Sequence, residues 1–132
     1  MAAQAIIDAY TLADAAAYLS AQITAHAKDL RDKAVEGISP GEMASWPIKR
    51  AEALAYQASG NAADAPMLSA EAEARKITLA ALVGKIAGNV AGLSGLEAII
   101  AGTAGRHADA IRACTSFDDM AAYDWQKGWP AV

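Results

Sequence analysis

The chain has 132 residues, enough for a single domain that buries a hydrophobic core of its own. Its formal net charge of −4 at pH 7 argues against a nucleic-acid partner, because binding to phosphates requires clustered cations. Cys114 is the only cysteine, which excludes an intramolecular disulfide and a metal site built from cysteines.

Alanine dominates the composition and predicts a chain made of helices. Alanine has the highest helix propensity, and the β-branched and aromatic runs typical of strands are missing. We therefore expect an all-α fold, a small bundle of five or six helices with short connections. We expect one helical domain over residues 1–132, with a long N-terminal helix within 1–38 and a helical core over 39–132. Because small side chains make a thin core, an oligomer or a partner would add stability.

The first helix is predicted to begin at Thr11, which has the spacing of a capping box with Asp14, and Gly37 can end it. His26 falls on the apolar stripe of this helix, where a partly buried polar side chain is favoured over a ligand. The stripe consists of apolar residues at helical spacing: Leu12, Ala16, Leu19, Ile23 and Leu30.

Two starts are open for the second helix. Ser39, followed by Pro40 and Glu42, forms one cap signal. Ser45 forms the other, with Pro47 in the first turn, because proline is poorly tolerated in a helix interior.

The second helix is expected to turn one apolar face to the core. We assign Trp46 to that core and expect Lys49, Arg50 and Glu52 to face solvent. The predicted core face consists of aliphatic residues at helical spacing: Ile48, Ala51, Leu54, Ala55 and Ala58.

The second half of the chain predicts further short helices. Residues 60–66 read as a loop and 66–76 as a short helix. Thr78 can cap the next helix, which we expect to break at 92–95, where glycines lower the helix propensity. A new helix capped by Ser94 would follow directly, and Ser116 would cap the last one.

The stretch 86–105 is apolar enough to be tested as a transmembrane span. Glu97, its one acidic residue, would lie near the middle of such a span, at a cost of about 2.5–3.5 kcal/mol on insertion scales. We therefore expect a buried helical hairpin of a soluble protein and no membrane contact. Gly84, Gly88 and Gly92 repeat every four residues, which predicts close contact with another helix, from this chain or from a partner.

Groups suited to catalysis are few. His26 and His107 are far apart in the sequence, and neither has a metal-type partner at helical spacing. We expect His107, beside Arg106, to lie on a solvated helix face, and Cys114 to be a buried structural thiol. The sequence predicts no catalytic residue, no metal and no cofactor, and hence a protein that is not an enzyme.

Two Trp-Pro dipeptides, Trp46-Pro47 and Trp129-Pro130, frame about two thirds of the chain. The stretches that go with them are Ser45-Trp46-Pro47 with Arg50-Ala51-Glu52-Ala53 and Tyr56, then Ala74-Arg75-Lys76-Ile77-Thr78-Leu79 running into Leu82-Val83 and Lys85-Ile86, and finally Ala122-Tyr123-Asp124 to Gly128-Trp129-Pro130. In these stretches the chain resembles the tail fibre assembly and tail assembly chaperone-like proteins encoded by bacteriophages and prophages. Lys76 departs from their pattern, which has glycine in an Ala-Arg-Gly sequence.

The resemblance implies a non-enzymatic assembly protein that binds a phage tail or tail-fibre polypeptide in the bacterial cytoplasm. Tyr123, Trp125 and Trp129 are the expected partner-binding residues, because tryptophan and tyrosine are over-represented among binding hot spots. The alternative for these side chains is that they cap the core of their own domain. The alternative for the protein is a self-associating helical structural subunit of a phage tail or similar particle, and a homo-oligomer is compatible with both functions.

Overall fold

The computed structural model describes residues 10–132, and this part of the chain contains five α-helices and no strand. The predicted all-α fold, with five or six helices and short connections, is confirmed. The part of the predicted N-terminal helical region that precedes Tyr10 lies outside the described residues. In chain order the elements are α1 (Leu12–Ala34), α2 (Pro40–Ser59), a short 3-10 helix (Ala62–Asp64), α3 (Pro66–Arg75), α4 (Leu79–Ala113) and α5 (Phe117–Ala122).

The described residues form two compact units. The central unit is Glu36–Gly95, and the terminal unit is the chain up to Val35 together with Leu96–Val132. Helix α4 therefore contributes its first half to the central unit and its second half to the terminal unit. The single domain over residues 1–132, with its division at residue 38, stays a prediction.

The helix caps predicted at Thr11, Ser39, Thr78 and Ser116 are present. Thr11 and Asp14 form a complete capping box, with hydrogen bonds of 2.8 and 3.1 Å between each side chain and the other residue's backbone N–H. The hydroxyls of Ser39, Thr78 and Ser116 each accept a hydrogen bond of 3.0–3.1 Å from a backbone N–H in the first turn of α2, α4 and α5. These caps satisfy donors that a helix start leaves without a partner, so the helix starts follow from local sequence.

Helix α2 is one element that begins at Pro40 and contains Pro47 in its interior. The alternative start at Ser45 is therefore wrong. Pro47 has no N–H to donate to the carbonyl of Met43, a defect that costs about 3 kcal/mol in a helix interior. Because helix stability in proteins comes mainly from tertiary packing, twenty residues packed along one side can tolerate such a defect.

Helix α4 continues without interruption through Gly92 and Gly95 for 35 residues. The predicted break, the predicted cap at Ser94 and the predicted buried hairpin are therefore wrong. A glycine costs only about 1 kcal/mol relative to alanine in a helix interior, and no proline lies in this stretch to end the helix. Only 11% of its most apolar 18-residue segment is buried, so most of this apolar surface faces outward.

The core of the central unit depends on a cap that one helix provides for another. Helix α3 begins after Ala65, whose side chain cannot cap it. The carboxylate of Glu52 in α2 takes that role, accepting hydrogen bonds of 3.3 and 3.1 Å from the backbone N–H groups of Met67 and Leu68. Beneath this contact lies a small core whose buried members are Ala53, Ala65, Leu68, Ala72, Leu82 and Val83.

The core of the terminal unit lies between α1, the second half of α4 and α5. Ile23, Ile111 and Met120 are its buried members. At the surface, the guanidinium of Arg31 in α1 donates hydrogen bonds of 2.8 and 2.7 Å to the two carboxylate oxygens of Glu97 in α4. These hydrogen bonds lower the pKa of Glu97 below its ordinary value. Partly buried apolar residues surround the core: Leu12, Ala15, Ala16, Leu19, Ala104, Cys114, Tyr123, Trp125 and Trp129.

Lys76 ends helix α3 in a left-handed conformation. Its φ of 59° and ψ of 42° are those of a helix C-cap, and Lys76 is the only residue other than glycine with positive φ among residues 10–132. A side chain in this region clashes with its own backbone, whereas glycine does not. The structure thus explains physically why glycine suits this position.

Replacing Lys76 by glycine should stabilise the protein. We expect Lys76→Gly to raise the free energy of unfolding by about 0.5–1 kcal/mol, measured by urea denaturation followed by circular dichroism, because it relieves the left-handed strain. Lys76→Ala removes the same charge but keeps the Cβ atom, so it should give no such gain. Equal effects of the two substitutions would show that the gain in stability does not come from the backbone conformation at Lys76.

Candidate functional site

An apolar groove runs along the central unit between α2 and the first half of α4. Its larger part has a volume of about 610 Å³, and an adjoining part of about 360 Å³ extends it toward Gln57 and Ala87. The two parts share Arg50, Leu54 and the α4 residues opposite them. The larger part is lined by Met43, Trp46, Pro47, Lys49, Arg50, Ala51, Leu54, Ile86, Asn89, Val90, Leu93 and Ser94.

The groove is bordered by residues that the sequence assigned to the core. Trp46 is half-buried and lines the groove, so its assignment to the buried core is wrong. Ile48 and Leu54 are 52% and 57% exposed, so they too lie outside the core. Ala53 is the buried residue of α2 instead. The structure therefore leaves apolar side chains uncovered on a face of α2 that the helical periodicity predicted to be internal.

The polar residues of α2 determine which face of the helix packs against α3. Glu52 caps α3, and Lys49 forms an ion pair of 2.6 Å with Glu71 in the partly buried contact between the two helices. The prediction that Lys49 and Glu52 face solvent is therefore wrong, whereas Arg50 is exposed as predicted. Lys49, Glu52 and Ala53 recur at helical spacing, so one face of α2 carries both the polar contacts and the core contact.

The only charged residues that line the groove are Lys49 and Arg50. Glu71 neutralises Lys49. Within residues 10–132, Arg50 forms no ion pair, and its exposed guanidinium lies where the two parts of the groove meet. The groove thus combines an apolar lining with one cation that is free to bind an acidic group.

An aromatic cluster lies in the terminal unit and contains all three residues predicted to bind a partner. His26 packs in a T-shaped arrangement against both Trp125 and Trp129, with ring centres 5.9 and 4.8 Å apart. The indole N–H of Trp129 donates a hydrogen bond of 2.8 Å to the carbonyl of Trp125. Tyr123, Trp125 and Trp129 pack half-buried against the core of their own unit, and their role in partner binding stays a prediction. His26 is partly buried, as expected.

His107 is buried within this cluster, with 2% of its surface exposed, so the expected solvated position is wrong. Its Nε2 lies 2.7 Å from the carbonyl oxygen of Lys127, and its Nδ1 lies 2.5 Å from the Tyr123 hydroxyl. A carbonyl can only accept, so Nε2 carries a proton, and in the neutral imidazole Nδ1 then accepts from the hydroxyl of Tyr123. The imidazole of His107 in α4 therefore holds the C-terminal segment through two hydrogen bonds.

Gly128 allows the C-terminal segment to close over α4. Its φ is +86°, and the Arg106 side chain fills the space that a Cβ atom would occupy. A residue with a side chain would meet both backbone strain and this contact. Together with the hydrogen bonds of His107, this close approach packs the C-terminal segment against α4.

Other groups of chemical interest are also in structural contacts. The thiol of Cys114 is half-buried and donates a weak hydrogen bond of 3.3 Å to the carbonyl of Ala110. The carboxylate of Asp119 accepts hydrogen bonds from the backbone and side chain of Thr115, which lower its pKa. Among residues 10–132, no three His, Cys, Asp or Glu side chains come together in a group that could hold a metal ion.

The glycines of α4 lie on its exposed face. A Cβ atom added at Gly84, Gly88 or Gly92 would have no other heavy atom within 4 Å, apart from the neighbouring backbone of α4 itself. No described helix of this chain therefore crosses α4 closely at these residues. A close helix contact with another chain stays a prediction.

A longer pattern of small residues accompanies these glycines. Eight exposed alanines and glycines alternate at spacings of three and four residues, the heptad pattern of a helix seam. Gly84 and Gly88 belong to this small-residue stripe, whereas Gly92 lies beside it. The stripe consists of Ala81, Gly84, Gly88, Ala91, Gly95, Ala98, Gly102 and Gly105.

Within the described residues, α4 is one helix that is long and apolar enough to cross a membrane, judged by length and composition. Lys85, Glu97 and Arg106 lie along it, and each charge would cost about 2.5–3.5 kcal/mol at the centre of a span. The absence of a membrane partner stays a prediction.

The hydrogen bond between Tyr123 and His107 can be tested by deletion of one hydroxyl. Tyr123→Phe should lower the free energy of unfolding by about 1–3 kcal/mol in urea denaturation, because it leaves the buried Nδ1 of His107 without a donor. Tyr18→Phe is the matched control, since Tyr18 is 61% exposed and should give almost no change. Equal losses in the two variants would contradict this role of His107.

Comparisons of the chain with protein families, with curated proteins and with solved structures identified no match. The groove of the central unit, the aromatic cluster and the small-residue stripe are therefore the features from which a function can be inferred.

Proposed function

We propose that the protein is a non-enzymatic assembly factor of a bacteriophage or prophage tail. It binds a segment of a tail or tail-fibre polypeptide in the bacterial cytoplasm and holds it until the segment is built into the particle. The observation that carries this proposal is the apolar groove between α2 and α4. The resemblance of the three sequence stretches to tail assembly proteins supplies the biological setting.

The groove has the properties of a site for a protein segment. Known peptide grooves take the apolar face of a helix through side chains spaced at i, i+3, i+4 and i+7. Met43, Trp46, Leu54 and Val90 offer such anchors an apolar lining, and Trp46 supplies the large aromatic surface that is common at binding hot spots. Exposed apolar patches of this kind mark interaction sites on soluble proteins.

If the protein is an assembly factor, a substitution in the groove should reduce the amount of tail polypeptide that it binds. Tagged protein would be recovered from cells that carry the surrounding gene cluster, and retained polypeptides would be identified and quantified by mass spectrometry. Leu54→Glu should reduce recovery of a tail or tail-fibre polypeptide about tenfold or more, because loss of a hot spot costs about 2 kcal/mol or more. Leu54 is 57% exposed, so the substitution should leave the fold intact.

The matched control for this experiment is Ile99→Glu. Ile99 is 54% exposed and belongs to the half of α4 in the terminal unit, away from the groove lining. It should retain the polypeptide at the wild-type level. Recovery of no tail polypeptide by the wild-type protein, or equal loss in both variants, would contradict the proposal.

A second candidate function is a structural subunit that associates with copies of itself. The observation that favours it is the small-residue stripe of α4, because two helices with alanine and glycine at the seam can approach closely. Its eight residues are all exposed in the single chain, so a second copy would find them uncovered.

Self-association can be tested at Gly88. In a monomer, Gly88→Leu should raise stability by about 0.8 kcal/mol, because a Cβ atom meets nothing there and leucine favours helices more than glycine does. In a close-packed oligomer the same side chain should separate the subunits. Sedimentation velocity would therefore show a wild-type oligomer and a monomeric Gly88→Leu variant, whereas a wild-type monomer would contradict this second function.

A further inference from the structure

We propose that the occupant of the groove is an amphipathic helix of a partner protein that carries an acidic side chain between two apolar anchors, with Arg50 as the residue that binds the acid. This inference rests on the proposed function and specifies the chemistry of its partner. It concerns the central unit alone, because all lining residues fall within Glu36–Gly95.

The length of the groove sets the length of its occupant. The lining residues of α2 extend from Met43 to Gln57, a distance of about 21 Å at 1.5 Å per residue. A partner helix of about four turns would cover this distance. Such a helix presents apolar side chains at helical spacing along one face, which is how helices bind in grooves of this kind.

The position of Arg50 sets where the acidic side chain lies. Arg50 lines both the larger and the smaller part of the groove, so apolar anchors can lie on either side of it. Its guanidinium can bind a carboxylate through two parallel hydrogen bonds, which fixes orientation as well as charge. One acidic residue flanked by apolar anchors would therefore define the register of the bound helix.

Charge complementarity favours an acidic partner over a neutral or basic one. No acidic residue lines either part of the groove, and Lys49 is already held by Glu71. Arg50 has no such acidic neighbour within the described chain. A basic side chain brought into the groove would meet like charge, so the same contact that attracts an acidic helix rejects a basic one.

Selection from a peptide library tests this assignment without any phage protein. A displayed library of helical 14-residue peptides, randomised among Leu, Ala, Ser, Glu and Lys, would be selected separately on the wild-type protein and on Arg50→Glu. We expect the wild type to enrich apolar anchors flanking an acidic residue, and Arg50→Glu to enrich the same anchors flanking Lys.

Affinities of the selected peptide and of its Glu→Lys form would then be measured by fluorescence anisotropy on both proteins. The wild type should bind the acidic form about three- to tenfold more tightly, and Arg50→Glu should reverse this preference, as expected for a solvent-exposed ion pair. Leu54→Glu should weaken both forms. Lys85→Glu is the matched control, because it makes the same charge change on an exposed residue outside the groove lining and should keep the wild-type preference.

Failure to enrich any helical peptide, or an unchanged ranking on Arg50→Glu, would overturn the assignment. The same reversal with Lys85→Glu would also overturn it, since it would show an effect of net charge alone. The outcome is separable from the proposed function. Reversal at Arg50 without capture of a tail polypeptide would contradict only the assembly role, whereas capture that is indifferent to Arg50→Glu would contradict only the acidic partner.

Discussion

The hydrogen bonds from the first turn of α3 to Glu52 decide which face of α2 is left uncovered. Helix α3 has no side-chain cap of its own, so two backbone donors at its start depend on a carboxylate from α2. Once Glu52 points toward α3, helical geometry also directs Lys49 and Ala53 toward that contact. Met43, Trp46 and Leu54 are then left beside the groove, so the exposure of this apolar surface follows from a cap supplied between helices.

The second constraint is the continuity of α4. Its glycines each cost about 1 kcal/mol relative to alanine, yet an added Cβ atom at Gly84, Gly88 or Gly92 would meet nothing within the described chain. No described contact in the single chain therefore requires glycine at these three residues. In the single chain, this face of α4 has room for larger side chains but carries glycine instead. Glycine there would allow the helix of a second copy to approach closely, which is the physical reason for self-association as the second candidate.

The features that could be predicted from the sequence are the local ones. The caps at Thr11, Ser39, Thr78 and Ser116 and the all-α fold depend on residues a few positions apart, and all are present. The face of α2 that becomes core could not be predicted, because Glu52 finds its partners 15 and 16 residues along the chain. The burial of His107 likewise depends on Tyr123 and Lys127, brought back by a turn that helical periodicity does not describe. The alternating spacing of the small-residue stripe is present in the sequence, but the glycine repeat at intervals of four includes only Gly84 and Gly88 of its members.

The two uncovered surfaces differ in the specificity that they can provide. Partner choice in paired helices is set largely by charges that border the seam. The small-residue stripe has only Lys85 and Arg106 in the bordering heptad positions, both basic, so it carries no opposite charges to select a partner or an orientation. The groove combines an apolar lining with Arg50, a cation that forms no ion pair within residues 10–132, and the proposed contact would distinguish helices by the position of a single acid. The proposed assembly role requires discrimination of this second kind, so the groove favours binding of a distinct partner over self-association.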